Sequence, residues 1–100
     1  RNTFDLSAVP LIKKLSHFPI IVDPSHGTGV WDLVAPMARA GVAAGADGMI
    51  VEIHPDPLHA WSDGEQSLNE KNYLQMMSEV EVMVDAMKKI KDLNKETSLI

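Results

Sequence analysis

His26, Glu52 and Asp63 are the side chains whose types and placement best suit chemistry in this chain. His26 follows Ile20-Ile21-Val22-Asp23-Pro24-Ser25, Glu52 closes Gly48-Met49-Ile50-Val51, and Asp63 lies in the loop after that. In a parallel α/β protein the carboxyl ends of neighbouring strands open onto one shared surface, where ligands bind. Histidine, glutamate and aspartate gathered there make an incomplete divalent-metal site. Metal-assisted chemistry is the leading expectation.

Each residue also has a plainer reading. A neutral imidazole is a good ligand for Mn, Fe, Co or Zn, yet a lone loop histidine is more often just polar. Glu52 interrupts an apolar strand, where a carboxylate without a partner is costly, so a cation or a metal has to compensate it. Asp63 beside Gly64 fits ordinary turn chemistry. His54, two positions past Glu52, is expected on the same strand face as that carboxylate, as a supporting or substrate-facing group. His17 and His59 read as surface residues. Gly27-Thr28-Gly29 is too short for a phosphate loop and reads as a tight, flexible turn.

The elements that must position these groups follow from pattern. Leu6 to Leu15 reads as a helix capped by Asp5 or Ser7, with Pro10 tolerated in its first turn. Ile20-Ile21-Val22 is a β-branched run suited to a parallel strand buried on both faces. A second helix runs from an Asp32 cap through Ala44 and ends at Gly45. Met49-Ile50-Val51 gives the second strand, and a long loop from His54 to Ser67 follows. Ser67 with Glu70 matches a capping box for the last helix. The apolar stripe of that helix is Tyr73, Met76/Met77, Val80, Met83/Val84, Met87 and Ile90, methionines that read as core filler. Residues 92–100 read as a polar tail or linker.

Composition narrows the class. One hundred residues with 45% hydrophobic content suit one small domain. A net charge of −5 argues against a non-specific nucleic-acid partner. No apolar run approaches the roughly 20 residues that span a bilayer. Without cysteine the segment has no disulfide and no thiolate ligand. A soluble, cytoplasmic protein is expected. The order is α-β-α-β-α, and two strands leave sheet edges unpaired and one side uncovered. With Arg1 in place of an initiating Met, the chain reads as a piece of a longer protein. The expected fold class is α/β, with residues 1–91 forming the C-terminal part of a (β/α)8 TIM barrel of ~250 residues.

Four blocks in order carry a family resemblance. They are Arg1-Asn2-Thr3-Phe4-Asp5-Leu6-Ser7-Ala8-Val9-Pro10, Ile21-Val22-Asp23-Pro24-Ser25-His26, Val51-Glu52-Ile53-His54-Pro55-Asp56-Pro57, and Ser62-Asp63-Gly64-Glu65-Gln66-Ser67-Leu68. Together they closely resemble 3-deoxy-D-arabino-heptulosonate 7-phosphate (DAHP) synthases of the short-chain subgroup akin to 3-deoxy-octulosonate 8-phosphate synthases. The resemblance runs to about Met87. It implies a homo-oligomeric barrel enzyme that condenses phosphoenolpyruvate with erythrose 4-phosphate at the start of aromatic amino-acid biosynthesis. It also implies a divalent metal, with Mn foremost and Fe, Co or Zn as options. The ligands carried over by motif are His26, Glu52 and Asp63, with a fourth, a cysteine, outside this chain. Asp23 is implied to position groups around the metal.

Val30-Trp31 departs from the family's more usual basic residues, and Trp61 from a small aliphatic one. Some relatives carry a fused chorismate mutase domain, which the tail could lead into. Two alternatives stand beside this reading. One is an octulosonate 8-phosphate synthase using arabinose 5-phosphate, although Asp23-Pro24-Ser25-His26 and Glu65-Gln66-Ser67-Leu68 favour the first. The other is a non-catalytic, self-associating module. Alone, the chain is expected to be inactive.

Overall fold

The computed structural model describes residues 5–60 and 64–98. Helix α1 (Ala8–Leu15) leads into strand β1 (Ile21–Val22), the short helix α2 (Pro24–Thr28) and a 3-10 turn (Trp31–Leu33). Helix α3 (Val34–Ala44), strand β2 (Gly48–Met49), two further 3-10 turns (Pro57–His59 and Gly64–Gln66) and helix α4 (Glu70–Ser98) complete the order. β1 and β2 pair in parallel, Ile21 opposite Gly48 and Val22 opposite Met49, so β1-α3-β2 is a crossover unit.

α3 and α4 pack on one face of this sheet. Val34, Ala38, Leu68, Met76 and Val80 form the core, with Met49, Val51 and Tyr73 against it. The α4 stripe expected from spacing thus reaches the core at Met76 and Val80. Farther along the helix Ile90 is exposed. An ion pair between Arg39 and Glu79 joins the two helices. Gly41 of α3 meets Val22 closely, because a Cβ there would lie 3.0 Å from Val22 Cγ2. The opposite sheet face is uncovered: Ile21 is 53% and Ile50 56% exposed. The run read as buried on both faces is therefore buried on one, since these residues supply a single helical layer.

Several local expectations change. Gly27 and Thr28 belong to α2, not to an open turn. Asp23 Oδ1 caps that helix by accepting the His26 N–H at 3.0 Å, and Gly29, at φ 70°, ends it. Asp32 does not cap α3. It lies inside a 3-10 turn, and α3 starts behind Leu33 with no side-chain cap. Asn69, not Ser67, caps α4: its Oδ1 accepts the Asn72 N–H at 2.8 Å. Ser67 is drawn inward beside Leu68, which forms a parallel bridge with Ile53. The polar stretch from Asp92 continues α4 as helix to Ser98. Leu93, Lys95 and Glu96 are its good helix formers, and the helix runs on through residues 91–95 although they are exposed.

Candidate metal centre

The end of β1 turns directly into α2, which sets His26 on the first turn of that helix. The end of β2 runs on to Glu52. Parallel pairing brings both ends to the same edge of the sheet, and His26 Nε2 lies 3.6 Å from Glu52 Oε1. The two side chains are 43% and 37% exposed, so solvent and solutes can reach them.

Asp23 orients the imidazole. Its Oδ2 lies 2.7 Å from His26 Nδ1. An ionised carboxylate can only accept, so Nδ1 carries the proton and Nε2 presents its lone pair on the side facing Glu52. Metal-ligating histidines characteristically have such a carboxylate on the other nitrogen. A separation of 3.6 Å is one that a single ion with bonds of about 2.0–2.2 Å can bridge. One nitrogen and one oxygen donor suit Mn, Fe, Co or Zn. The donors present therefore fit a divalent ion.

Two ties fix the strand end that bears Glu52. Its N–H donates to the buried Ser25 hydroxyl at 2.9 Å. Its carbonyl accepts the Leu68 N–H at 2.9 Å, and the His54 N–H donates to the Leu68 carbonyl at 2.8 Å. The long loop thus returns to the strand from which it left, pinned at its base. Sequence reasoning overlooked Ser25 and Leu68. A serine beside a strand end could have signalled a buried tie, but only the fold shows what it meets.

The remaining predicted residues fall as follows. His54 turns toward its own loop, where Nδ1 accepts the Asp56 N–H at 2.9 Å. His59 is exposed and its Nδ1 lies 2.5 Å from Asp56 Oδ2. His17 stacks on Phe18 at 5.1 Å between ring centroids. Asp63 and Trp61 lie outside the described residues. Among the described residues no three His, Cys, Asp or Glu side chains converge as a metal-holding group, and His26 with Glu52 is a pair. A cleft of about 950 Å³ lined by Val30, Trp31, Pro55, Pro57, Leu58 and Asn72 among others does not include that pair in its lining.

Comparison with known proteins shows the family. A profile of the DAHP synthetase I family matches residues 1–89. The chain belongs to the DAHP synthetase I family. A phospho-2-dehydro-3-deoxyheptonate aldolase of Thermotoga maritima is 53% identical over 87 residues, which are 87% of this chain and 26% of that protein. The crystal structure of that DAHP synthase matches with a TM-score of 0.85 over 87% of this chain and 26% of its own. A 2-dehydro-3-deoxyphosphooctonate aldolase of Rhodopseudomonas palustris (strain HaA2) is 41% identical over 71 residues, 60% of this chain and 25% of that protein. The chain spans about a quarter of the length of these relatives. Among its described residues no helix is long and apolar enough to cross a membrane.

Proposed function

We propose that this chain is the metal-holding quarter of a DAHP synthase, a cytoplasmic, homo-oligomeric (β/α)8-barrel enzyme. The observation that carries the proposal is the meeting of His26 and Glu52 at adjacent ends of parallel strands. Strand ends of this kind are where barrel enzymes place their reacting groups. The uncovered face bearing Ile21 and Ile50 fits the inward face of such a barrel. The 53% identity to the Thermotoga protein favours heptulosonate chemistry over octulosonate chemistry.

In this reading His26 and Glu52 hold a divalent ion together with Asp63, and the fourth ligand is a cysteine outside this chain. The bound ion supplies Lewis acidity toward the aldehyde oxygen of erythrose 4-phosphate. The chain's own part is positional. Asp23 keeps the proton on His26 Nδ1, and the Glu52 carboxylate adds negative charge that retains the cation. In the net reaction C3 of phosphoenolpyruvate bonds to the aldehyde carbon, water adds at C2, and phosphate leaves. His54, hydrogen-bonded within its loop, is at most a supporting group.

The test is phosphate release from phosphoenolpyruvate by the full-length protein with Mn²⁺, comparing erythrose 4-phosphate with arabinose 5-phosphate. Release with the four-carbon sugar, abolished by chelation and restored by Mn²⁺, is expected. Preference for arabinose 5-phosphate would make it an octulosonate 8-phosphate synthase. Absence of turnover with both would favour the non-catalytic reading.

A further inference from the structure

Glu52 lies just beyond the β1–β2 ladder, whose last bond runs from the Ile50 N–H to the Val22 carbonyl at 2.9 Å. Val22 is paired with Met49. Two residues further, the same parallel register would pair Pro24 with Val51 and aim the Glu52 N–H at the Pro24 carbonyl. That bond is not made. The chain has already turned into α2, and the Pro24 carbonyl accepts the Thr28 hydroxyl at 2.7 Å. The Ser25 hydroxyl takes its place, accepting the Glu52 N–H at 2.9 Å across 27 positions of sequence. Ser25 is 0% exposed, so its hydroxyl is held in the interior, where packing fixes its position.

We infer that Ser25 is a positioning residue: its buried hydroxyl replaces a missing ladder carbonyl and so sets the separation of His26 from Glu52. His26 is the next residue in the chain, on the same turn of α2, whereas Glu52 is held through its own backbone. One side chain therefore ties both donors. It lets the chain leave the sheet early enough to present His26 without releasing the strand that presents Glu52. This inference rests on reading the pair as a metal site, but the tie itself is independent of any metal.

The experiment compares wild type, Ser25→Ala and the hydroxyl-retaining Ser25→Thr in the full-length protein. The readouts are amide hydrogen exchange at Glu52 and Mn²⁺ affinity from the paramagnetic resonance signal of free Mn²⁺. Ser25→Ala is expected to expose the Glu52 amide to exchange and to weaken Mn²⁺ binding by ~10–100-fold, as loss of a supporting contact does. Ser25→Thr is expected to restore both. Unchanged Glu52 protection in Ser25→Ala would overturn the tie, and lost protection with wild-type Mn²⁺ affinity would overturn its positioning role. If Ser25→Ala does not fold, Ser25→Cys, similar in volume and a weak acceptor, carries the same comparison. Mn²⁺ binding that is equal in wild type and His26→Ala would instead overturn the metal-site reading, leaving the exchange result to judge the tie.

Discussion

His26 Nε2 and Glu52 Oε1 lie 3.6 Å apart although α2 and the stretch following β2 supply them separately. At that distance the atoms are too far apart for a good hydrogen bond and well spaced for a shared cation. Glu52→Gln keeps the shape and removes the charge. Mn²⁺ affinity of the full-length protein is expected to fall at least ~10-fold, since even supporting partners of a metal site contribute that much. Titration of free Mn²⁺ checks this, and wild-type affinity would remove Glu52 from the ligand set.

Asp23 has two jobs on one carboxylate, capping α2 through Oδ1 and holding His26 Nδ1 through Oδ2. Asp23→Asn can keep the cap while setting an amide donor against Nδ1, which shifts the proton to Nε2. The expected outcome is a ~10–100-fold loss of Mn²⁺ affinity with little change in Tm. Nitrogen NMR of the imidazole should show the tautomer reversed. An Nδ1–H tautomer in the variant would contradict this.

Acid should loosen the joint between α1 and the sheet. Lys13 Nζ bonds both Asp47 oxygens, at 3.0 and 2.9 Å, and Asp47 Oδ2 also accepts the Ile20 N–H at 2.8 Å. The Lys13 bond first, and the Ile20 bond second, hold the Asp47 carboxyl below its ordinary range. A folded pKa that is lowered gives stability present above the unfolded value of about 4, and that stability is lost as pH falls through the folded value. Asp47→Asn is expected to lower Tm slightly at neutral pH, with the difference from wild type vanishing on acidification. The pair is exposed, so added salt should shrink the effect. Melting curves across pH would decide, and a pH-independent difference would refute the linkage.

Gly64 is required by a close backbone approach. A Cβ there would meet the Pro57 carbonyl oxygen at 2.3 Å. Backbone cannot swing aside as a side chain can, so Gly64→Ala is expected to destabilise by about 1–3 kcal/mol. The two 3-10 turns of the long loop must separate to admit it. Urea denaturation of the full-length protein measures the cost, and no change in midpoint would contradict the contact.

Helix α4 gains packing energy only where it is covered. Met76 is 0% exposed within the core, whereas Val82 on the same helix is 67% exposed. Met76→Ala is expected to cost about 2–5 kcal/mol through lost burial and a cavity. Val82→Ala should stay within about 0.5 kcal/mol. Equal costs would mean that another surface covers Val82 in the full-length protein.

Local chemistry already determined the order of the two strands and three longer helices, the Gly45 helix stop, the Met76–Val80 core stripe and the family, because these depend on neighbours in sequence, whereas α2 and its Gly29 stop were read as a turn. The positions of His26 and Glu52 past strand ends were legible for the same reason: each follows an apolar run of the right length. Their approach to 3.6 Å was not, because it depends on strand register and on a serine hydroxyl standing in for a carbonyl. Ser67 looked like a cap by spacing, yet tertiary packing drew it inward and left the cap to Asn69. Burial on one sheet face and not both was likewise decided by which elements are present to cover it. Sequence names the donors and the local breaks in the chain, and only long-range pairing brings those donors within bonding reach of one another.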